Sequence, residues 1–362
     1  MRHEGLVGIF ALIVIGLGSA TTSYGDLFYV GDAGSGGGTT SNHAGGGVWD
    51  NTTANWSKTT FSAANTAWAS GTSATFQGVN GGTVNVGDNL SVKNITFTTP
   101  AAAFTLANTF DMEISGTVAN NSVQTQTVTN HGTINFNGVA SASGGLVRAM
   151  TYSGDGFMNF NGSSTAGNAS ITNNGLLTFK GTSSAGTSTI VNNAAMDISG
   201  LTSTGLTGGS LTNNGSVELG QGAGGVGKTF NLSTLTLDGG SEFDFTLGTT
   251  QSLITTATLS DLASPSNRVT IDTDAGAGFG APEYVLIDDT GGFVNLSDYA
   301  LGNAPAGYVL STDDGGHELV LLSAVPEVSS FAFPLVGAAG LVVWLRRRRS
   351  AVHEMMLGDA VV

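Results

Sequence analysis

The chain has 362 residues, only 10% of them charged and 55 of them Gly, with a formal net charge of −15. Between residues 21 and 345 there are six basic side chains against 23 acidic ones, a net charge of −17 that repels phosphate backbones and argues against nucleic acid as a partner. Cysteine is absent, which excludes disulfide frameworks and Cys-based zinc sites.

Residues 1–20 read as a secretory signal peptide. Arg2 supplies the basic start, Leu6 to Leu17 is the apolar core, and Gly18 and Ala20 stand at −3 and −1 of a cut after Ala20. A retained membrane anchor is the rival reading, disfavoured by the short apolar core. Residues 21–100 come next as an N-terminal β cap. They hold Trp49, Trp56 and Trp68, three of the four tryptophans, which would cover the first turn of the next region with aromatic surface.

Residues 101–250 carry a weak repeat. "TNHGTINFNG" (129–138), "SGDGFMNFNG" (153–162), "TNNGLLTFKG" (172–181), "VNNAAMDISG" (191–200) and "TNNGSVELGQ" (212–221) share one design. "ANTFDMEISG" (107–116) precedes them and "LDGGSEFDFTLG" (237–248) continues the series. Each begins with Asn or Gly, which tolerate a turn, and continues as a short strand of period two. The pairs Ile134/Phe136, Phe157/Phe160, Leu177/Phe179, Met196/Ile198 and Val217/Leu219 are the expected buried positions. One such strand cannot bury its apolar face alone. Stacked units can, so a period near 20 predicts a parallel β-helix, with Asn at equivalent turns able to form ladders. Unrelated strands in a Gly-rich β-sandwich are the alternative.

Residues 251–323 read as a C-terminal β region, with "YVLSTDDGGHELVLL" as a hairpin around Asp-Gly-Gly. Residues 324–362 form a third segment. Ser329 to Leu345 is uncharged and just long enough for a transmembrane helix, and Arg346, Arg347, Arg348 and Arg349 would hold its end in the cytoplasm. The predicted fold class is therefore all-β: a parallel β-solenoid with a Trp-containing cap, a C-terminal β segment and a transmembrane helix over 329–345.

These residues carry two resemblances. Val325, Pro326 and Glu327, then an apolar helix, then Arg346 to Arg349, resemble the PEP-CTERM sorting signal; where that family usually has a second Pro, this chain has Val328. The resemblance implies processing by a membrane protease-transpeptidase, the exosortase. Trp49-Asp50 and Asn55-Trp56, with Phe76 and Ile95-Thr96-Phe97 after them, resemble the opening of secreted proteins with autotransporter-associated β-strand repeats. Together they imply export, transient anchoring in the inner membrane, and a structural or adhesive role at the cell surface or in an extracellular polysaccharide matrix.

Chemistry is sparse. "GAGGVGKT" matches a phosphate-binding loop through Gly222, Gly227, Lys228 and Thr229, but residues 230–237, "FNLSTLTL", alternate as a strand, and such a loop needs a helix. It reads as a chance match, a flexible loop protruding between two rungs, and no cofactor is expected. No Gly-x-Ser-x-Gly elbow accompanies the abundant Ser. His131 and His317 read as solvated turn residues. "DTDAG" (Asp272, Asp274) has the first spacing of a calcium loop without its remaining ligands, and Asp313 and Asp314 occupy a turn, so no metal site is expected. The enzymatic alternative is a β-helix polysaccharide lyase or glycoside hydrolase. Its candidates are Asp197, Glu218, Asp238, Glu242 and Asp244 with Arg148, Lys180 and Lys228, and repulsion between Glu242 and Asp244 could raise a pKa.

Overall fold

The computed structural model describes residues 26–29, 46–58, 65–143, 150–202, 205–291 and 294–324. Among the described residues the chain is strands and turns, with two single 3-10 turns at Leu296–Asp298 and Asp314–Gly316. It divides into two compact units, Met1–Ala194 and Ala195–Val362, whose described residues each form a parallel β-solenoid. The signal peptide, the Pro-Glu motif, the 329–345 span and the arginine cluster lie outside the described residues. Among the described residues no helix is long and apolar enough to cross a membrane.

In the first unit each rung contributes one strand to each of two sheets. Thr105, Thr127, Thr151, Ser170 and Thr189 are successive register partners on one sheet, so the rungs are 22, 24, 19 and 19 residues long, the spacings of the sequence repeat. On the other sheet Ile134 pairs with Met112 and Met158, and Phe136 with Ile114 and Phe160. Period two sends these side chains inward, where Phe136, Phe160 and Phe179 stack with centroids 4.8 Å apart and planes within 8°. Phe157, expected from the sequence to be buried, is not. Counted back in twos from Phe160, the inward residue is Met158, and Phe157 faces solvent with 52% of its surface exposed.

Asparagine ladders form at the turns. Asn108 Nδ2 donates to Asn130 Oδ1 at 2.8 Å, and Asn173 Nδ2 to Asn192 Oδ1 at 2.7 Å. Their Oδ1 atoms accept the N–H two residues on, from Phe110, Gly132 and Gly175 for Asn108, Asn130 and Asn173. A side-chain amide both donates and accepts, so it satisfies a buried turn and its neighbour at once. Gly154 interrupts the ladder, because at φ +142° a Cβ there would lie 1.8 Å from the Asn130 carbonyl oxygen.

At the start of this unit Leu27–Tyr29 pairs parallel with Thr72–Gly78 and antiparallel with Trp56–Ser57. Trp49, Trp56 and Trp68 are buried there with ring centroids 4.8–5.0 Å apart. Such aromatic burial covers the first rung among the described residues.

The second unit stacks rungs on three sheets. One holds Ala195–Asp197, Ser216–Glu218, Glu242–Leu247, Val269–Ala275 and Tyr299–Leu301, all parallel. The second holds Ser210–Asn213, Thr234–Leu237 and Leu259–Asp261. On the third, Glu283–Asp289 pairs antiparallel with Glu318–Ser323, which forms the expected hairpin with Tyr308–Asp313. Thr212 pairs with Thr236 but Ser216 with Glu242, so the Asp238-Gly239-Gly240 turn carries two extra residues and the last repeat copy begins one residue earlier than its sequence suggests.

Candidate functional site

The strands 195–197, 216–218, 242–247 and 269–275 alternate apolar and acidic residues. Met196, Val217, Phe243 and Ile271 are buried. The next residue on each strand therefore faces outward, and the parallel register aligns Asp197 with Glu218, Glu218 with Asp244, and Asp244 with Asp272. Four carboxylates thus stand in one column, one per rung, at the inter-strand spacing of about 4.8 Å. Glu242 and Asp274 flank it on the same face, two residues to either side.

A column of carboxylates differs in kind from a column of amides. In the first unit the outward residues of the corresponding sheet satisfy one another: Asn135 Nδ2 donates to Glu113 at 2.6 Å, Asn159 Nδ2 to Asn135 at 2.8 Å, and Thr178 Oγ1 to Asn159 at 2.5 Å. Ionised carboxylates only accept, so the acidic column repels itself unless protons occupy it. Partial burial, reinforced by Asp244, Asp197 and Asp274, pushes Glu218 up to about 7. Partial burial with Asp274 and Asp272 raises Asp244. Partial burial, and then a hydrogen bond and charge shared with Asp272, raise Glu242. The array can hold protons near neutral pH and release them as pH rises.

Of the acidic residues singled out from sequence, Asp197, Glu218, Glu242 and Asp244 come together here. Asp238 sits apart in an exposed turn, where its Oδ1 accepts the Gly239 N–H at 2.9 Å. Asp272 and Asp274, which have the first spacing of a calcium loop but are not expected from it to bind metal, belong to a strand and to this acidic face. Their Asp-x-Asp spacing is also the period of a strand, which was the available signal. Lys180 is exposed on a turn, and Arg148 lies outside the described residues.

The glycine-rich segment departs from its expectation of a protruding flexible loop. It folds back onto the later rungs: Gly224 N–H donates to Ala275 O at 2.8 Å, Gly227 N–H to Thr250 O at 2.9 Å, and Ala277 N–H to Gly225 O at 3.1 Å. Backbone groups in a turn between rungs need partners, and adjacent rungs supply them. Thr229 opens a strand, Thr229–Leu232. Lys228 is buried, which lowers its pKa, and a Cβ on Gly222 would lie 3.5 Å from an Asp274 carboxylate oxygen. A phosphate would meet that negative charge with no helix N-terminus to hold it.

The two described histidines differ. His131 is exposed at a turn and its Nδ1 lies 2.5 Å from Asp155 Oδ1 on the next rung; that hydrogen bond is the main reason the Asp155 pKa is lowered. His317 is half-buried rather than solvated, its Nδ1 3.1 Å from the Asp289 carbonyl. Carboxylate oxygens of Glu283, Asp313 and Glu318 lie within 4.8 Å of one another, with Glu283 and Asp313 exposed. Gly18, Ala20, Val325, Pro326, Glu327 and Arg346 to Arg349 lie outside the described residues. No protein-family model, no curated protein and no solved structure matches this chain.

Proposed function

We propose that the chain is an exported β-solenoid with a structural or adhesive role at the cell surface or in an extracellular polysaccharide matrix. The observation that supports this reading best is the first unit's stacking of rungs through in-register ladders, with a core of superposed Phe and Asn side chains. Such a stack is an extended scaffold whose outward faces are available for contact along its length. Delivery rests on the sequence resemblance: a signal peptide cut after Ala20, then exosortase-type processing at Val325, Pro326 and Glu327, with Arg346 to Arg349 holding the 329–345 helix in the inner membrane until release. The test is C-terminal mass spectrometry of the protein recovered from its native host. The mature wild type should end near Pro326, and Pro326→Ala should keep its arginines. A wild-type protein that retains Arg346–Arg349 would remove the sorting part of the reading.

A second reading, a polysaccharide lyase or glycoside hydrolase, is favoured by one observation: Glu218, held near neutrality, stands one rung from Asp244. A protonated acid beside an acceptor is the pairing that glycosidic cleavage requires. On this reading the protein releases reducing ends from an extracellular polysaccharide, with a fall in rate as pH rises past 7, and Glu218→Gln loses that activity while keeping its fold. Equal reducing-end release by wild type and Glu218→Gln would remove it.

A further inference from the structure

The second sheet of the first unit presents an outward face of aligned hydroxyls. Successive register partners Thr83, Thr105, Thr127, Thr151, Ser170 and Thr189 form an unbroken column of six hydroxyls. Two residues along each strand runs a second column, with Thr129, Ser153 and Thr172 at its centre. It is bounded by Ala107 on one side and Val191 on the other. The pairing runs without a bulge, so the face is regular. Among the described residues none of these hydroxyls hydrogen-bonds to the protein, whereas the Asn and Thr side chains of the opposite sheet are bound to one another.

We propose that this face binds ice. Its hydroxyls repeat at about 4.8 Å along the stack and, on the three central strands, about 6.7 Å along the strand. The first distance lies close to the shorter oxygen–oxygen repeat of hexagonal ice on its prism faces, and the second falls somewhat below the longer one. Threonine offers a lattice an oxygen that donates and accepts, beside a methyl group that sheds its own water cheaply. Rigidity matters, because each hydroxyl is placed by the backbone ladder before binding and little ordering cost remains. Charge matters as well. In a chain of net charge −15 none of the outward residues of these strands is charged, which suits an uncharged lattice. A polysaccharide is the less favoured occupant, because sugar rings stack on aromatic side chains and no outward residue here is aromatic. The proposal does not depend on the sorting reading.

Slow freezing of the purified full-length protein on a cold finger tests it. The protein should enrich in the ice fraction and arrest recrystallisation of fine-grained ice. Thr127→Tyr with Thr151→Tyr should abolish both while leaving the far-UV circular dichroism unchanged. Because two tyrosines can disturb packing, Thr151→Lys serves as a second variant with the same expected loss. Phe157→Tyr, on the opposite sheet, should stay enriched. Exclusion of the wild type from ice to the same degree as serum albumin would overturn the proposal, as would full enrichment of both Thr variants. Binding to microcrystalline cellulose that Thr151→Lys abolishes, without ice enrichment of the wild type, would assign the face to a polysaccharide instead.

Discussion

Asp50 organises the turn between two buried tryptophans. Its Oδ1 accepts the N–H groups of Thr52 at 2.9 Å and Thr53 at 2.5 Å, and its Oδ2 accepts the Thr53 hydroxyl at 2.8 Å. Asn55 Nδ2 closes the same loop on the Val48 carbonyl at 2.8 Å. Slight burial pushes the Asp50 pKa up, but the Thr53 and Thr52 donors outweigh it and hold the carboxyl below its usual range. The Trp-Asp…Asn-Trp spacing therefore has a local cause: a polar clasp that lets Trp49 and Trp56 meet at 5.0 Å. Asp50→Ala should lower unfolding free energy by about 1–2 kcal/mol, with Asp50→Asn losing less because one acceptor survives. Urea denaturation reads this out. An unchanged midpoint for Asp50→Ala would mean that tryptophan packing alone holds the turn.

On the scale of a strand, register decides which aromatic matters. Phe160 lies between Phe136 and Phe179 in a continuous stack, fully buried, while Phe157 on the same strand points to solvent. Phe160→Ala should cost about 3–5 kcal/mol through lost burial and the cavity it leaves. Phe157→Ala should stay within about 0.5 kcal/mol of wild type. Chemical denaturation of the two variants side by side gives the contrast, and equal losses would mean that the strand is out of register by one residue. The sequence "GFMNF" admits either phase, since both Phe157 and Met158 are apolar. Only the ladder of neighbouring strands selects Met158.

For the whole molecule, the two kinds of shifted carboxyl pull stability in opposite directions with pH. Glu218 binds its proton more tightly folded than unfolded, so its contribution is complete below the ordinary carboxylate range and is lost as pH rises towards about 7. Raised Asp244 and Glu242 act in the same sense. Asp50 is depressed, so its contribution is present above the ordinary range and lost as pH falls through its folded value. The thermal midpoint should therefore peak in mildly acidic solution and decline towards pH 8. Glu218 is partly solvated, so its share after screening is on the order of 1 kcal/mol. Scanning calorimetry from pH 4 to pH 8 should show Glu218→Gln flattening the decline. A wild-type midpoint that climbs steadily over that interval would refute the acidic column as its source.

Length of repeat, strand period and turn chemistry by themselves determined that this chain stacks short parallel strands. The Asn-Gly turns with apolar residues two apart leave a single strand no way to bury its face, and the same residues point to Asn ladders. The hairpin near the C-terminal end was legible for the same local reason. The carboxylate column was not. Asp197, Glu218, Asp244 and Asp272 are 21, 26 and 28 residues apart in sequence, and only the parallel register, with its unequal turns, brings them onto one line. The glycine-rich segment was misread as free because its partners, Thr250, Ala275 and Ala277, belong to later rungs. Local chemistry sets which residues turn and which extend. Which side chains become neighbours depends on how many residues each turn inserts between strands, and that count takes its meaning only when the rungs are stacked.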